Sequence, residues 1–194
     1  AINHPRWKMG KKISIDSATL MNKVFEIIEA RRIFKFNINK YKILIHPNSY
    51  VHSIVKFNNG ITKILVHDTN MTIPIFNSIY NNEKKKLKSN KINISYLNSL
   101  NLSEVNHLRF PAVKLLKKIP NKYSLFETIL VSANDELVNL FLNKRIKFDD
   151  IINYLDKILN YSSFKKYKKI MPNSVIQIEN LNRLVRLKTR SLIL

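Results

Sequence analysis

The chain has 194 residues, of which 45% are hydrophobic, and a formal net charge of +21 at pH 7. This length and apolar content suffice for a buried core, as one domain or a domain with a smaller partner. Cysteine is absent, which excludes disulfides, thiolate catalysis and cysteine-zinc sites, so any metal must be bound by His, Asp or Glu.

The N-terminal region lacks a signal-peptide pattern, and no apolar run approaches the roughly 18 residues that span a bilayer. We therefore expect a cytosolic protein. The first residue is Ala rather than Met. This start suggests that the sequence begins partway through a longer protein.

The first predicted element is a helix that runs to about Phe34 without an internal Gly or Pro, with Asp16 or Ser17 as its N-cap. At about 100° per residue, Asn22, Lys23 and Glu26 share one side, and the apolar residues occupy the other.

Two interpretations of the polar side of this helix stay open. In the first, it is an ordinary wet face with an i,i+3 ion pair between Lys23 and Glu26. In the second, a hydroxyl, a carboxamide and an ammonium group form a donor cluster for phosphate, and Glu26 supplies a hard oxygen ligand for Mg²⁺ or Mn²⁺.

The next segment predicts two strands joined by a tight turn. Residues 42–57 are rich in β-branched and aromatic side chains, residues 58–60 have turn chemistry, and ITKILVH follows. Pro47 cannot donate to a sheet ladder, which favours an edge position or a bulge near the start of the first strand.

The histidines of this region do not form a predicted metal site. His46 and His52 would share a strand face, but a regular strand places them about 20 Å apart. For His67 and His107 the pattern indicates no role beyond that of surface residues.

The second half of the chain predicts a helical bundle. Residues 80–95 are polar and rich in Lys without a helical or strand period, which indicates a linker. The segments after it have apolar residues at three- and four-residue spacing, which is typical of packed amphipathic helices.

Three stretches carry a family resemblance. HPRWKMGKKISIDSATLMNKVFEIIEA, from His4, resembles the signature HP-x-W-x-MG-x-KI-x-x-DSATMMNKGLE of the 1-deoxy-D-xylulose 5-phosphate reductoisomerase family. HPNSYVHSIVKF, residues 46–57, resembles its HPQSIIHSMV stretch, and SANDELVNLFLNKRIKFDDI resembles its AANE helix region. The resemblance covers the C-terminal half of such an enzyme, without the NADPH-binding Rossmann domain that precedes it.

The resemblance implies an α+β fold, in which a partial α/β catalytic domain with a short mixed sheet is followed by a small all-α bundle. The implied ranges are 1–80 for the catalytic-domain part, 81–106 for a linker and 107–194 for the C-terminal helical domain.

The resemblance also implies an activity. The family rearranges 1-deoxy-D-xylulose 5-phosphate and reduces the product with NADPH to 2-C-methyl-D-erythritol 4-phosphate, a step of non-mevalonate isoprenoid biosynthesis, with Mg²⁺ or Mn²⁺ as Lewis acid. A cytoplasmic bacterial homodimer is implied, with a plastid-type organelle as the alternative location.

The signature assigns roles to five residues of this chain. His4, Ser17, Asn22 and Lys23 would bind the substrate, chiefly at its phosphate end. Glu26 would contact both the substrate and the metal, and Lys23 and Glu26 would be catalytic.

Five further residues receive roles in the same way. Trp7 and Met9 match a flap that closes over the substrate and excludes water. Gly10 matches a position close to the nicotinamide cofactor, as does Met71, although the sequence around Met71 departs from the family's PDM-x-x-PI. His52 matches a supporting histidine near the active site.

Three departures from the family pattern affect these expectations. Val24 replaces the Gly of the signature, and the Lys-rich passage after Tyr80 lacks the family's WP-x-R. The family's metal also needs an Asp and a Glu from a segment that precedes the residues matched here. We therefore expect the 194 residues to be inactive alone.

The alternative is a non-catalytic basic module, either a decayed remnant or a nucleic-acid binder that uses the +21 charge. Two features argue against it. The basic bias accompanies heavy use of Asn and Ile and only 2 Gly, as AT-rich coding produces. The aromatic residues are not interleaved with Lys and Arg, as a base-stacking platform requires.

Overall fold

The computed structural model describes residues 10–80, 85–91, 93–98 and 100–193. The predicted site residues His4, Trp7 and Met9 lie outside the described residues. The chain divides into two compact units, one formed by residues 43–105 and the other by the segments on either side of them.

The N-terminal segment forms two helices, α1 (Lys11–Ala18) and α2 (Met21–Phe34), instead of the single predicted helix. The predicted N-caps Asp16 and Ser17 are wrong, because both residues lie inside α1. The break falls at Thr19 and Leu20, where Leu20 adopts the left-handed conformation with φ of 59°.

The side chain of Thr19 stabilises this break. Its hydroxyl donates to the carbonyls of Ile15 at 3.0 Å and Asp16 at 3.2 Å, and it accepts from the Met21 amide at 3.3 Å. The hydroxyl therefore links the last turn of α1 to the first residue of α2.

The unit of residues 43–105 contains short strands and helices. They are β1 (Leu44–Ile45), β2 (Val51–Lys56), β3 (Thr62–Val66), α3 (Thr72–Ile79), α4 (Ile94–Asn98) and β4 (Ser103–Glu104). The predicted hairpin is confirmed, since β2 and β3 pair antiparallel across the turn that contains Gly60. The predicted continuous strand over 42–57 is wrong, because a turn containing Pro47 separates β1 from β2.

The strands of the described residues form two separate two-stranded antiparallel sheets, β1–β4 and β2–β3. The α+β class is confirmed, but the short mixed sheet is replaced by these two small ones. The pairing of β1 with β4 also gives the predicted linker a structural contact, since β4 lies within residues 81–106.

The predicted helical bundle is confirmed. A 3₁₀ segment (Pro111–Lys118) precedes α5 (Phe126–Leu142), α6 (Asp150–Leu159), α7 (Ser162–Lys165) and α8 (Val175–Ser191). Ser174 caps α8, because its hydroxyl accepts from the Gln177 amide at 3.2 Å. Across the described residues, no helix has both the length and the apolar character needed to cross a bilayer.

The bundle is built around α5, which packs against α1, α6 and α8. Ile15, Met21 and Val24 of the first two helices lie in the same buried cluster as Ile129 and Leu137 of α5. The helices that carry the predicted site therefore share a core with the bundle, across the boundaries predicted at 80 and 107. As functional domains, the three predicted ranges stay a prediction.

Candidate functional site

Three predicted site residues lie together on the exposed side of α2. The Lys23 ammonium contacts both carboxylate oxygens of Glu26, at 2.8 and 3.1 Å. The Asn22 amide donates to the same carboxylate at 3.1 Å. Both donors thus converge on one carboxylate at the surface of the helix.

This cluster is open to a ligand. The side chains of Lys23 and Glu26 are 46% and 48% exposed. An ion pair at such exposure stabilises a helix by only about 0.2–0.5 kcal/mol, so a ligand can displace it at low cost. The predicted i,i+3 pair is confirmed, and its geometry leaves both predicted interpretations of this face available.

Ser17 lies on α1 and is separated from this cluster by the break at Thr19 and Leu20. Its side chain is partly buried, and its carbonyl accepts from the Leu20 amide at 3.2 Å within the break. The position of its hydroxyl relative to Asn22 and Lys23 is therefore set by this break rather than by one continuous helix.

Val24, which replaces the Gly of the family signature, points away from the polar face. Its side chain is fully buried and belongs to the core cluster with Ile15 and Met21. The departure therefore changes packing between the N-terminal helices and the bundle, and it does not crowd the exposed carboxylate of Glu26.

The described residues supply few metal ligands. No group of three or more His, Asp or Glu side chains within them could bind a metal ion. Glu26 is a hard oxygen donor and exposed, so its chemistry fits Mg²⁺ or Mn²⁺ as one ligand of several. A metal ion at Glu26 would need further ligands from outside the described residues.

The predicted cofactor and supporting residues are divided between the two units. Gly10 is the exposed N-cap residue of α1, and a Cβ added there would meet no other described part of the chain within 4 Å. Met71 precedes α3 and is 53% exposed. His52 lies on β2, in the same unit as Met71.

The predicted lack of any role for His67 misses a contact that the structure shows. Its ring stacks on that of His52, with centroids 3.5 Å apart and planes 4° from parallel. His52 lies at a register shift, because Val51 pairs with Val66 and Ser53 pairs with Leu65, which leaves His52 between two paired residues. The sequence pattern predicted the hairpin but not this irregularity, and so it did not predict the stacking of the two rings.

A buried polar contact was also missed. Asp16 is only 2% exposed, and its carboxylate accepts from the Asn134 amide of α5 at 2.8 Å. The same carboxylate contacts the Lys12 ammonium at 2.8 Å. The sequence signal is the polar run SANDE, which contains Asn134 and interrupts an otherwise apolar helix.

A basic cavity lies at the end of α2. Its volume is about 560 Å³, and it is lined by Arg31, Arg32, Lys35, Phe36, Asn121 and Tyr123. Arg32 pairs with Glu127, whereas Arg31 donates to the carbonyls of Pro120 and Asn121. Burial lowers the pKa of both guanidinium groups from their ordinary value. These pairings give both arginines a structural role in attaching α2 to the bundle.

Comparison with known proteins assigns this arrangement to a family. A family model described as "DXP reductoisomerase C-terminal domain" matches residues 67–188. A second, described as "1-deoxy-D-xylulose 5-phosphate reductoisomerase C-terminal domain", matches residues 1–34 and so includes α1 and α2. The chain belongs to the 1-deoxy-D-xylulose 5-phosphate reductoisomerase family.

Individual relatives agree with this assignment. The reductoisomerase of Pelagibacter ubique is 61% identical over 192 residues, which are 99% of this chain and 50% of that protein. That of Aquifex aeolicus is 38% identical over 178 residues, which are 92% and 46% of the two chains. The chain thus spans about half the length of the curated relatives that it matches.

Solved structures show the same fold. A crystal structure of the reductoisomerase with NADPH, fosmidomycin and magnesium has a TM-score of 0.89 and 29% identity, and the match covers 100% of this chain and 48% of that one. The Zymomonas mobilis enzyme with NADPH has a TM-score of 0.82 and 28% identity, with 94% and 47% covered.

Proposed function

We propose that these residues form the C-terminal half of an NADPH-dependent reductoisomerase that converts 1-deoxy-D-xylulose 5-phosphate to 2-C-methyl-D-erythritol 4-phosphate. The observation that carries the proposal is the cluster of Asn22, Lys23 and Glu26, which lies exposed on α2 within the family signature. Family membership supports the proposal, because the cluster lies in the segment that one of the family models matches.

Substrate binding falls to the donors of the first two helices. Lys23 and Asn22 now donate to Glu26, and a phosphorylated substrate would give them phosphate oxygens as acceptors instead. The Ser17 hydroxyl and His4 would complete the phosphate-binding set. The Lys23–Glu26 pair is weak because it is exposed, so its replacement by a contact with the doubly charged phosphate favours substrate binding.

Glu26 would then be free to serve as a metal ligand. When bound, a divalent cation supplies Lewis acidity at the substrate oxygens, and NADPH supplies the hydride. Gly10 and Met71 would lie against the nicotinamide, with His52 in a supporting role. Trp7 and Met9 would close over the substrate and exclude water.

The proposal includes a dependence on the rest of the protein. Glu26 is one ligand, and a single carboxylate binds Mg²⁺ or Mn²⁺ poorly. The 194 residues should therefore be inactive alone and active when the preceding half of the protein supplies the other ligands and the NADPH-binding domain. A homodimer in the bacterial cytoplasm is the proposed form of the complete enzyme.

The test compares two charge-removing substitutions on the same helix face. In the complete protein with NADPH, Mg²⁺ and substrate, Glu26→Gln should lower substrate-dependent NADPH oxidation by at least about 100-fold, because an amide is a poor ligand for a hard cation. Glu29→Gln is the matched control, since Glu29 is exposed on the same helix and has no proposed role.

Normal turnover by the Glu26→Gln protein would remove the metal assignment. An equal loss in both variants would show that the helix responds to charge in general rather than at this position. The unaltered protein should also gain activity only when both Mg²⁺ or Mn²⁺ and NADPH are present.

A further inference from the structure

α1 is attached to the bundle by a hydrogen bond that is fully enclosed. The Asn134 amide donates to the Asp16 carboxylate at 2.8 Å. Asp16 is 2% exposed, and Asn134 is not exposed at all. The contact joins residues 118 positions apart in sequence, so it ties the N-terminal segment directly to α5.

Such a contact constrains position more tightly than apolar packing does. A buried carboxylate and a buried amide are costly unless each has a partner with good geometry. The neighbouring apolar contacts of Ile15 tolerate small movements of α1. The buried hydrogen bond between Asp16 and Asn134 is lost when its two atoms move apart by about 1 Å. The contact therefore fixes the place of Asp16 on α5.

Charged groups reinforce the same attachment. The Lys12 ammonium lies between Asp16, at 2.8 Å, and Asp135 of α5, at 2.9 Å. Desolvation opposes the charge of Lys12, but the hydrogen bonds to these two carboxylates outweigh it and raise its pKa. The other carboxylate oxygen of Asp135 contacts Arg186 at 3.0 Å and so connects α8.

The next residue along α1 is Ser17, and the carbonyl of Asp16 itself accepts from the Thr19 hydroxyl that stabilises the break before α2. A shift of Asp16 would therefore move both the Ser17 hydroxyl and the start of the helix that carries Asn22 and Lys23. The Asp16–Asn134 contact is therefore one residue away from Ser17, one of the proposed phosphate donors.

We propose that Asn134 is a positioning residue for substrate binding, which acts through Asp16 to fix the end of α1 and with it Ser17. The proposal rests on the proposed function, because that function assigns the phosphate to Ser17. Asn134 is fully buried, so it would act on substrate affinity only through the position of Ser17.

The experiment uses the complete protein and a swap of the two partners. Asn134→Asp alone places two carboxylates face to face, whereas Asp16→Asn combined with Asn134→Asp restores a donor and an acceptor with their roles exchanged. The single variant should raise the KM for 1-deoxy-D-xylulose 5-phosphate about tenfold or more, because the phosphate donor at the end of α1 is displaced. The double variant should recover most of this loss.

A matched control separates positioning from stability. Leu137→Ala removes a buried side chain of the same helix without touching the hydrogen bond. It should lower the melting temperature of the protein at least as much as Asn134→Asp and leave the KM for the phosphorylated substrate unchanged. Equal KM values in all three variants would overturn the proposal and leave Asn134 a purely structural residue.

A second measurement is independent of activity. Backbone amide hydrogen exchange in α1 should be about tenfold faster in the Asn134→Asp protein than in the Leu137→Ala protein. In the double variant Asp16→Asn, Asn134→Asp, the exchange rate should return to that of the unaltered protein. If the unaltered protein does not oxidise NADPH with this substrate, the proposed function fails. The hydrogen-exchange rate of α1 then tests by itself whether Asn134 fixes the helix. Unchanged exchange in α1 would contradict the positioning role in either case.

Discussion

Two acidic residues of the N-terminal segment differ in burial and in hydrogen-bond partners, and this difference separates a structural residue from one that is open to a ligand. Asp16 and Glu26 belong to the same signature and lie ten positions apart. Asp16 is enclosed and bonded to Asn134, which makes it a structural anchor. Glu26 is half exposed, and its partners among the described residues are Asn22 and Lys23 of its own helix, which leaves it available to a ligand. The resemblance to the family signature predicts a role for Glu26, whereas the contact of Asp16 depends on a partner 118 positions away and was not predicted.

A pH dependence follows for Lys12. Its pKa is raised above 10.5 in the folded protein, so the stability that it contributes is fully present below pH 10.5 and is lost as the pH rises through the folded value. The free energy of unfolding of Lys12→Met should lie about 0.5–1 kcal/mol below that of the unaltered protein at pH 8, and the difference should shrink as the pH rises above 10.5. Chemical unfolding at several pH values measures it, and a constant difference would contradict the assignment.

Val24 provides a residue-scale test of the core. Because its side chain is fully buried, Val24→Gly should lower the free energy of unfolding by about 2–4 kcal/mol, through the lost burial and the poor helix propensity of Gly. Val131→Gly is the matched control, since Val131 is 40% exposed in α5. It should cost less than about 1 kcal/mol. Equal losses in urea unfolding would show that Val24 is not a core residue.

At the scale of elements, the hairpin was predictable and the break between α1 and α2 was not. Alternating β-branched residues around Asn58, Asn59 and Gly60 specify a turn locally, and β2 and β3 form as expected. The break depends on a left-handed Leu20, which sequence propensity disfavours. It forms because α1 and α2 each bury a face against the bundle, and tertiary packing outweighs the local preference.

Gly60 gives a test at this scale. Its φ of 88° strains any residue with a Cβ, although an added Cβ would meet no described atom within 4 Å beyond the two neighbouring residues. Gly60→Ala should therefore cost about 1–2 kcal/mol for backbone reasons alone, and Gly60→Asn should cost less. The Phe57 amide, which donates to the Ile61 carbonyl at 2.8 Å across the turn, should exchange about tenfold faster in the Ala variant. Equal exchange rates would show that this turn does not limit the hairpin.

At the scale of the whole molecule, the family and the α+β class followed from the signature, whereas the grouping of elements did not. The segment of α1 and α2 was expected to belong with the hairpin that follows it in sequence. It shares its core with α5 instead, because Ile15, Met21 and Val24 find their apolar partners there. Long-range contacts of this kind leave no periodic pattern in the sequence.

We propose that these residues hold half of a reductoisomerase site, with Glu26 as the metal ligand that they contribute. The most direct test compares substrate-dependent NADPH oxidation in Mg²⁺ by the 194 residues alone and by the complete protein. We expect no activity from the 194 residues and turnover by the complete protein at about 1 s⁻¹ or more, as is common among enzymes. Activity of the 194 residues alone, or none in the complete protein, would contradict it.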